Sequence, residues 1–261
     1  MLIMIMKNSG NAKLILVTND DGYGAEGIKA LVEAVKGLGE VVVCAPASQR
    51  MANGRSHTVK QAIGIAECAV AGARGYCLDA SPASCVVIAL EKLLPRRPDL
   101  VLSGINRGEN LGTIAPVSGT VGAASEAADY GIKAIAISLD VEKGEPDYCP
   151  SVHFSRMFAE KALSGRLDFK GYGMLNINIP ASATERTEVV YANPCEEMSQ
   201  SRKLQAVAGN SVMFSCHTIR DRQYKPGTDA WAVINKRKVA VTFLDKSYGY
   251  KRQHPVPGQR S

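Results

Sequence analysis

Hydrophobic and polar positions in this chain switch repeatedly between two patterns. Leu14-Ile15-Leu16-Val17 is an unbroken apolar run, which predicts a strand buried on both faces. From Ile28 the apolar residues Ile28, Leu31, Val32 and Val35 fall at spacings of three and four, which predicts a helix. A second strand is expected at Val41-Val42-Val43-Cys44, followed by a small, polar loop from Pro46 to Ser56 with a turn at Asn53-Gly54. His57 to Ala71 and Gly75 to Leu78 read as extended segments of a hairpin. Ser81-Pro82 opens a helix, with Ser81 as cap and Pro82 at its first position, running to about Leu94. Leu100-Val101-Leu102 is a third buried strand. Ser118 caps a helix reaching about Tyr130, Ala134 to Leu139 is a fourth strand, and a helix from about Tyr148 to Leu163 precedes a strand from Met174 to Ile179 that Pro180 stops.

This alternation predicts an α/β fold, a Rossmann-like doubly wound and mainly parallel sheet, over residues 13–185. Past that point the texture changes. Thr187 to Ala192, Gln205 to Ala208 and Ser211 to Ser215 look extended, and Thr228 to Ile234 with Lys238 to Leu244 read as a hairpin around Asn235-Lys236-Arg237. Residues 186–247 are therefore expected to form an extended C-terminal β arm. With little core of its own, it would pack on another subunit. Residues 1–12 read as an N-terminal extension and 248–261 as a loose tail.

Composition narrows the class. A hydrophobic share of 46% in 261 residues is ample for a buried core. No stretch reads as a transmembrane span, and the apolar start, Met1 to Met6, lacks a preceding basic region and a small-residue cleavage site. Seven cysteines without a C-x-x-C point to reduced thiols rather than a disulfide frame or a zinc site, so a cytoplasmic protein is expected. The net charge of +6 would help an anionic substrate approach, but no aromatic-basic interleaving accompanies it, so no stable nucleic-acid complex is expected.

The chemistry gathers where strands end. After the first strand comes Thr18-Asn19-Asp20-Asp21-Gly22, two adjacent carboxylates on a loop at the carboxyl end of a strand, where open α/β sheets bind ligands. Neighbouring carboxylates raise each other's pKa unless a cation neutralises them, and all-oxygen donors favour Mg²⁺, Mn²⁺ or Ca²⁺ over zinc. The bland alternative is a solvated turn with an Asp cap. Gly22, Gly24 and Gly27 also spell the G-x-G-x-x-G dinucleotide fingerprint. Against that reading, Asp20 and Asp21 would repel a pyrophosphate, and the second strand ends in Cys44-Ala45-Pro46 with no acid for a ribose hydroxyl. The third strand leads to Ser103-Gly104-Ile105-Asn106-Arg107-Gly108-Glu109-Asn110-Leu111-Gly112, in which Asn106 and Asn110 offer neutral oxygen ligands or phosphate donors. Ser118-Gly119-Thr120 at the next helix start is a good cap. Beside a metal pair it becomes a phosphate cradle. His57 reads as a surface or packing residue, though its pKa range leaves it eligible for catalysis.

TNDDG after the first strand, SGIN-x-G-x-N-x-G after the third, SGTV at a helix start, LNINIP and TDAWAV together resemble the SurE family over roughly residues 13 to 245. The resemblance implies a metal-dependent 5′-nucleotidase acting on nucleoside monophosphates, with a Rossmann-like core. It also implies a homodimer or homotetramer joined by swapped arms, with one divalent cation per subunit, Mg²⁺ or Mn²⁺. On the family's pattern Asp20, Asp21 and Asn106 fall on metal ligands and Asn110, Ser118, Gly119 and Thr120 on phosphate contacts. Asp20 and Asp21 are also the catalytic carboxylates, Asp20 either taking a water's proton or attacking directly. Two departures matter. The family's serine ligand, five residues after the loop proline, is Met51 here, a poor ligand for a hard cation whose place a water, Asn53 or Ser48 would have to take. The family's T-P-A-D-C is Ser81-Pro82-Ala83-Ser84-Cys85, without the acid. A nucleotide-binding regulator weakened by the missing ligand is the alternative reading, and a dinucleotide oxidoreductase the more distant one.

Overall fold

The computed structural model describes residues 12–142, 144–169, 173–198, 200–207 and 211–245. The expected tail and all but the last residue of the expected extension lie outside these ranges.

Strands β1 (Leu14–Thr18), β2 (Glu40–Pro46), β3 (Ile65–Val70), β4 (Ala73–Leu78), β5 (Leu100–Arg107), β6 (Ala134–Leu139), β7 (Met174–Ile179), β8 (Val189–Tyr191) and β11 (Val239–Leu244) form one sheet. Its order is β3-β4-β2-β1-β5-β6-β7-β11-β8, while β9 (Gln200–Ala206) and β10 (Val212–Thr218) make a separate antiparallel hairpin. The six strands from β4 to β7 are parallel; β3 is an antiparallel edge and β11 runs antiparallel to β7. In chain order those parallel strands lie third, second, first, fourth, fifth, sixth across the sheet, which is the doubly wound order.

The unbroken apolar run of β1 follows from burial on both faces. Ile15 and Val17 pack with Ile28 and Leu31 of α1 (Glu26–Val35) and with Phe154 and Phe158 of α4 (Cys149–Leu163). Leu14 and Leu16 point the other way, into the cluster holding Val86 of α2 (Pro82–Ile88) and Val121 and Ala124 of α3 (Gly119–Asp129). Ser81 caps α2 by accepting the Ser84 N–H, with Pro82 in the first turn. Among the described residues no helix is long and apolar enough to cross a membrane.

Several expectations change; the segment read as extended from His57 is a strand only from Ile65. The third strand does not stop at Leu102 but continues through Arg107, carrying Asn106 on the sheet itself. Thr228 to Ile234 is not the first strand of a hairpin. It forms a short helical stretch ending in the wide turn Trp231–Asn235, because Thr228 Oγ1 accepts the Trp231 N–H as a cap and Ala230, Ala232, Val233 and Ile234 bury together with Leu111. β8 and β11 join the central sheet. The β9–β10 hairpin instead exposes Leu204, Val212, Met213 and Phe214. Just beyond it, Arg220 ion-pairs with the buried Asp140 and with Glu109.

Candidate active site

The chain reverses winding between β1 and β5, so the carboxyl ends of these two neighbouring strands open a crevice. Asp20 and Asp21 leave one end; Asn106 stands on the other. The turn between β1 and α1 is closed by Asn19, whose Oδ1 accepts the Gly22 N–H at 3.2 Å and whose Nδ2 donates to the Gly22 carbonyl at 2.9 Å. Gly22 has φ +97°, a region that glycine enters without steric cost. The Arg50 N–H donates to the Asp20 carbonyl at 2.7 Å, tying the 46–56 loop to the acids.

Asp20 is 7% exposed. Burial pushes its carboxyl up to about 6; the Thr120 hydroxyl, donating to Oδ1 at 2.5 Å, works against this, and the neighbouring Asp21 charge adds to it. The start of α3 closes over the same carboxylate. A Cβ on Gly119 would lie 2.8 Å from Asp20 Oδ2, so only glycine lets the helix come this near. Asp21 is half-buried; its Oδ1 accepts from Gln49 Nε2 at 3.0 Å and its Oδ2 from the Arg107 N–H at 3.3 Å. The second bond joins the β1 turn to the end of β5, one residue from Asn106. Asn106 Nδ2 donates to the Gly108 carbonyl at 2.7 Å, which leaves its amide oxygen for a ligand.

Asp20, Asp21, Asn106, Gly119 and Thr120 thus converge on one crevice. Thr120 is fully buried with its hydroxyl on Asp20, and Ser118 Oγ accepts the Val121 N–H at 3.2 Å as the α3 cap. Both hydroxyls are therefore engaged within the protein. Asn110 is turned inward, with Nδ2 donating to Ser138 Oγ at 2.9 Å and one amide hydrogen remaining. Gln49 was invisible in the sequence, because nothing about a glutamine in a polar loop distinguishes it. His57 Nε2 lies 3.3 Å from Glu126 Oε2, in a network with Arg55 on the flank of α3. Ser84, at the position of the lost acid, accepts the Thr58 N–H at 2.8 Å and ties down the loop that leads to β3.

The donor set suits a hard divalent cation. Two adjacent carboxylates, one of them deeply buried, and an amide oxygen that accepts no hydrogen bond among the described residues offer oxygen only. Among the described residues no group of three or more His, Cys, Asp or Glu is placed to hold a metal. Met51 is 74% exposed, so its thioether does not pack into the crevice.

Residues 15–202 match the family model described as Survival protein SurE. The chain is 40% identical to the 5′-nucleotidase SurE of Thermococcus gammatolerans, over 88% of this chain and 89% of that one. It is 44% identical to that of Archaeoglobus fulgidus over 67% and 70%, and 37% identical to that of Myxococcus xanthus over 90% and 88%. Among solved structures it resembles the crystal structure of the SurE protein from Aquifex aeolicus, with a TM-score of 0.72 and 28% identity over 91% of this chain and 95% of the other. With its family match spanning most of the sheet, and relatives of this identity along nearly its whole length, the chain belongs to the SurE family.

Proposed function

We propose that this protein is a metal-dependent phosphomonoesterase that hydrolyses nucleoside 5′-monophosphates to nucleoside and phosphate. The observation that carries the reading is the meeting of Asp20, Asp21 and Asn106 where the sheet reverses its winding. Asp20, Asp21 and Asn106 would hold one Mg²⁺ or Mn²⁺ per subunit. Such an ion supplies charge neutralisation at the phosphate and acidifies water. The protein's own groups do the rest. Thr120 fixes the orientation of Asp20, which takes the proton of the attacking water or attacks phosphorus itself. The Gly119 and Thr120 end of α3 and the second Asn110 amide hydrogen would meet the phosphoryl oxygens as charge moves to the leaving oxygen. Asp21, held by Gln49 and the Arg107 amide, keeps the second carboxylate in register with the first.

The exposed apolar hairpin β9–β10 supports assembly as a homodimer or homotetramer through this arm. All seven cysteines are free thiols, which fits a cytoplasmic setting. Met51 favours a second reading, a nucleotide-binding protein of reduced catalytic power, because a thioether stands where the family places a hydroxyl ligand. Phosphate release from AMP and GMP, with added Mn²⁺ or Mg²⁺ and again with EDTA, separates the two. Metal-stimulated release that EDTA abolishes is the expected result; nucleotide binding without release would replace the enzyme by the binder.

A further inference from the structure

Two motifs of the chain, LNINIP and TDAWAV, supply nothing to the acid pair, yet both converge on the back of the site loop. The Asn178 amide brackets the Asn110 backbone: its Oδ1 accepts the Asn110 N–H at 2.7 Å and its Nδ2 donates to the Asn110 carbonyl at 3.2 Å. Asn176 Nδ2 donates to the same carbonyl at 2.7 Å. Two residues on, the Gly112 N–H donates to Asp229 Oδ2 at 2.8 Å. The other oxygen of Asp229 accepts the Cys195 N–H at 2.9 Å and the Ala230 N–H at 2.8 Å. The Cys195 carbonyl in turn accepts the Thr113 N–H at 3.1 Å. Asn176, Asn178 and Asp229 are all buried, and Leu111 between them is sealed in the cluster of Cys195, Tyr224 and Val233.

The backbone of Asn110–Gly112 is therefore held by side chains rather than by a neighbouring strand. Each bond is directional, and those from Asn178 to the Asn110 N–H and carbonyl orient the two peptide groups that flank Asn110. This geometry is costly to build from buried polar groups, and an apolar core would seal the loop as well. We infer that Asn178 and Asp229 are positioning residues: they set the plane of the Asn110–Gly112 backbone, and through it the place of Asn110 against the phosphoryl group. The inference rests on the phosphatase reading above. The acids and Asn106 lie on strand ends and do not depend on this clamp, so it should govern phosphate placement without governing metal affinity.

The test compares Asn178→Ala and Asp229→Asn with the parent and with Phe158→Leu, which opens a cavity under the outer helix α4. Asp229→Asn keeps the shape but retains a single acceptor oxygen, so it cannot serve both the Gly112 and the Cys195 amides. Measured are kcat and KM for AMP per folded molecule, Mn²⁺ affinity by titration, binding of inorganic phosphate, and Tm. The expected result is a fall in kcat of about 10- to 100-fold, since small misplacements near the reacting group cost that much. Weaker inorganic phosphate binding should accompany it, with Mn²⁺ affinity within about twofold of the parent. Phe158→Leu should lower Tm alone. If the two clamp variants lower Tm but keep kcat and phosphate affinity, the residues only stabilise the fold and the inference is overturned. A parent that releases no phosphate from any nucleotide would sink the phosphatase reading instead; phosphate and Mn²⁺ binding would then still judge the clamp.

Discussion

The three glycines of the fingerprint-like stretch make opposite demands, and substituting two of them distinguishes a catalytic turn from a dinucleotide site. In a dinucleotide fold the middle glycine lets the backbone approach the pyrophosphate. Here Gly24 faces open space, with no atom within 4 Å of an added Cβ. Gly27 is the constrained one: a Cβ there would sit 1.9 Å from the Ile105 carbonyl oxygen. Restoring ordinary contact requires α1 to move off β5 by roughly 1 Å or more in a close-packed interior. Overpacking of this kind costs about 1–3 kcal/mol, and the upper end applies because the obstacle is backbone. Alanine's better helix propensity returns up to about 1 kcal/mol. The net loss of about 2 kcal/mol corresponds to a Tm lowered by roughly 4–8 °C in a protein of this size. Because Ile105 adjoins Asn106, Gly27→Ala should also weaken Mn²⁺ binding. Gly24→Ala should leave metal binding unchanged and gain about 0.4–1 kcal/mol by restricting the unfolded chain. Thermal unfolding and Mn²⁺ titration of both variants decide the matter. A Gly27→Ala protein that melts with the parent would refute the packing argument. A Gly24→Ala protein that loses a measurable affinity for NAD or NADP would restore the dinucleotide reading.

Asp20→Asn should lower phosphate release by at least about 10³-fold while circular dichroism stays native, and a variant of ordinary turnover would remove Asp20 from the chemistry. Met51→Ser places a hydroxyl where the family has its ligand and should tighten Mn²⁺ or Mg²⁺ binding; an unchanged titration would show that the loop does not reach the ion. Arg220→Met leaves Asp140 buried without its cation and should cost about 3–5 kcal/mol in urea unfolding, whereas a loss below about 1 kcal/mol would show the ion pair to be dispensable. Burial of Asp99 favours its neutral form, but the Leu14 amide, Lys13 and Arg96 outweigh this and bring the carboxyl down to about 2. A folded-state value below the unfolded one stabilises above about pH 4 and is lost as pH falls through 2. After discounting for the exposed cations, Asp99→Asn should cost about 1 kcal/mol at neutral pH, and the gap between variant and parent should close on acidification.

The doubly wound core was legible because its signals are local. The apolar runs of β1 and β5, the helical spacing after Ile28 and the Ser81-Pro82 and Ser118 caps each depend on residues a few positions apart. The acid pair was legible as a chemical oddity at a strand end. The misreading at Thr228 to Ile234 came from a segment in which apolar residues permit either period. The Thr228 cap, which decides for helix, is seen only once Trp231 is placed over it. The inward turn of Asn110 and the grip of Gln49 on Asp21 were not legible at all. Each depends on partners 28 positions away in the chain, Ser138 and Asp21, and nothing near either residue announces them.

The charges around the crevice bear on whether this fold takes a dinucleotide or the proposed metal-bound phosphate. Binding a pyrophosphate there would use the N-terminus of the helix after β1, but α1 carries Glu26 in its first turn and stands beside two more acids. The helix end nearest the crevice is that of α3, which follows β5, and the Thr120 hydroxyl in its first turn is donated to Asp20. A helix N-terminus favours a carboxylate as readily as a phosphate. With Asp20 already at that end, a second anion there needs a cation between them. On the sign of the charges, the proposed phosphate is expected to need the proposed ion beside it. Inorganic phosphate should accordingly bind only when Mn²⁺ or Mg²⁺ is present, and equal phosphate affinity with and without EDTA would contradict this charge argument.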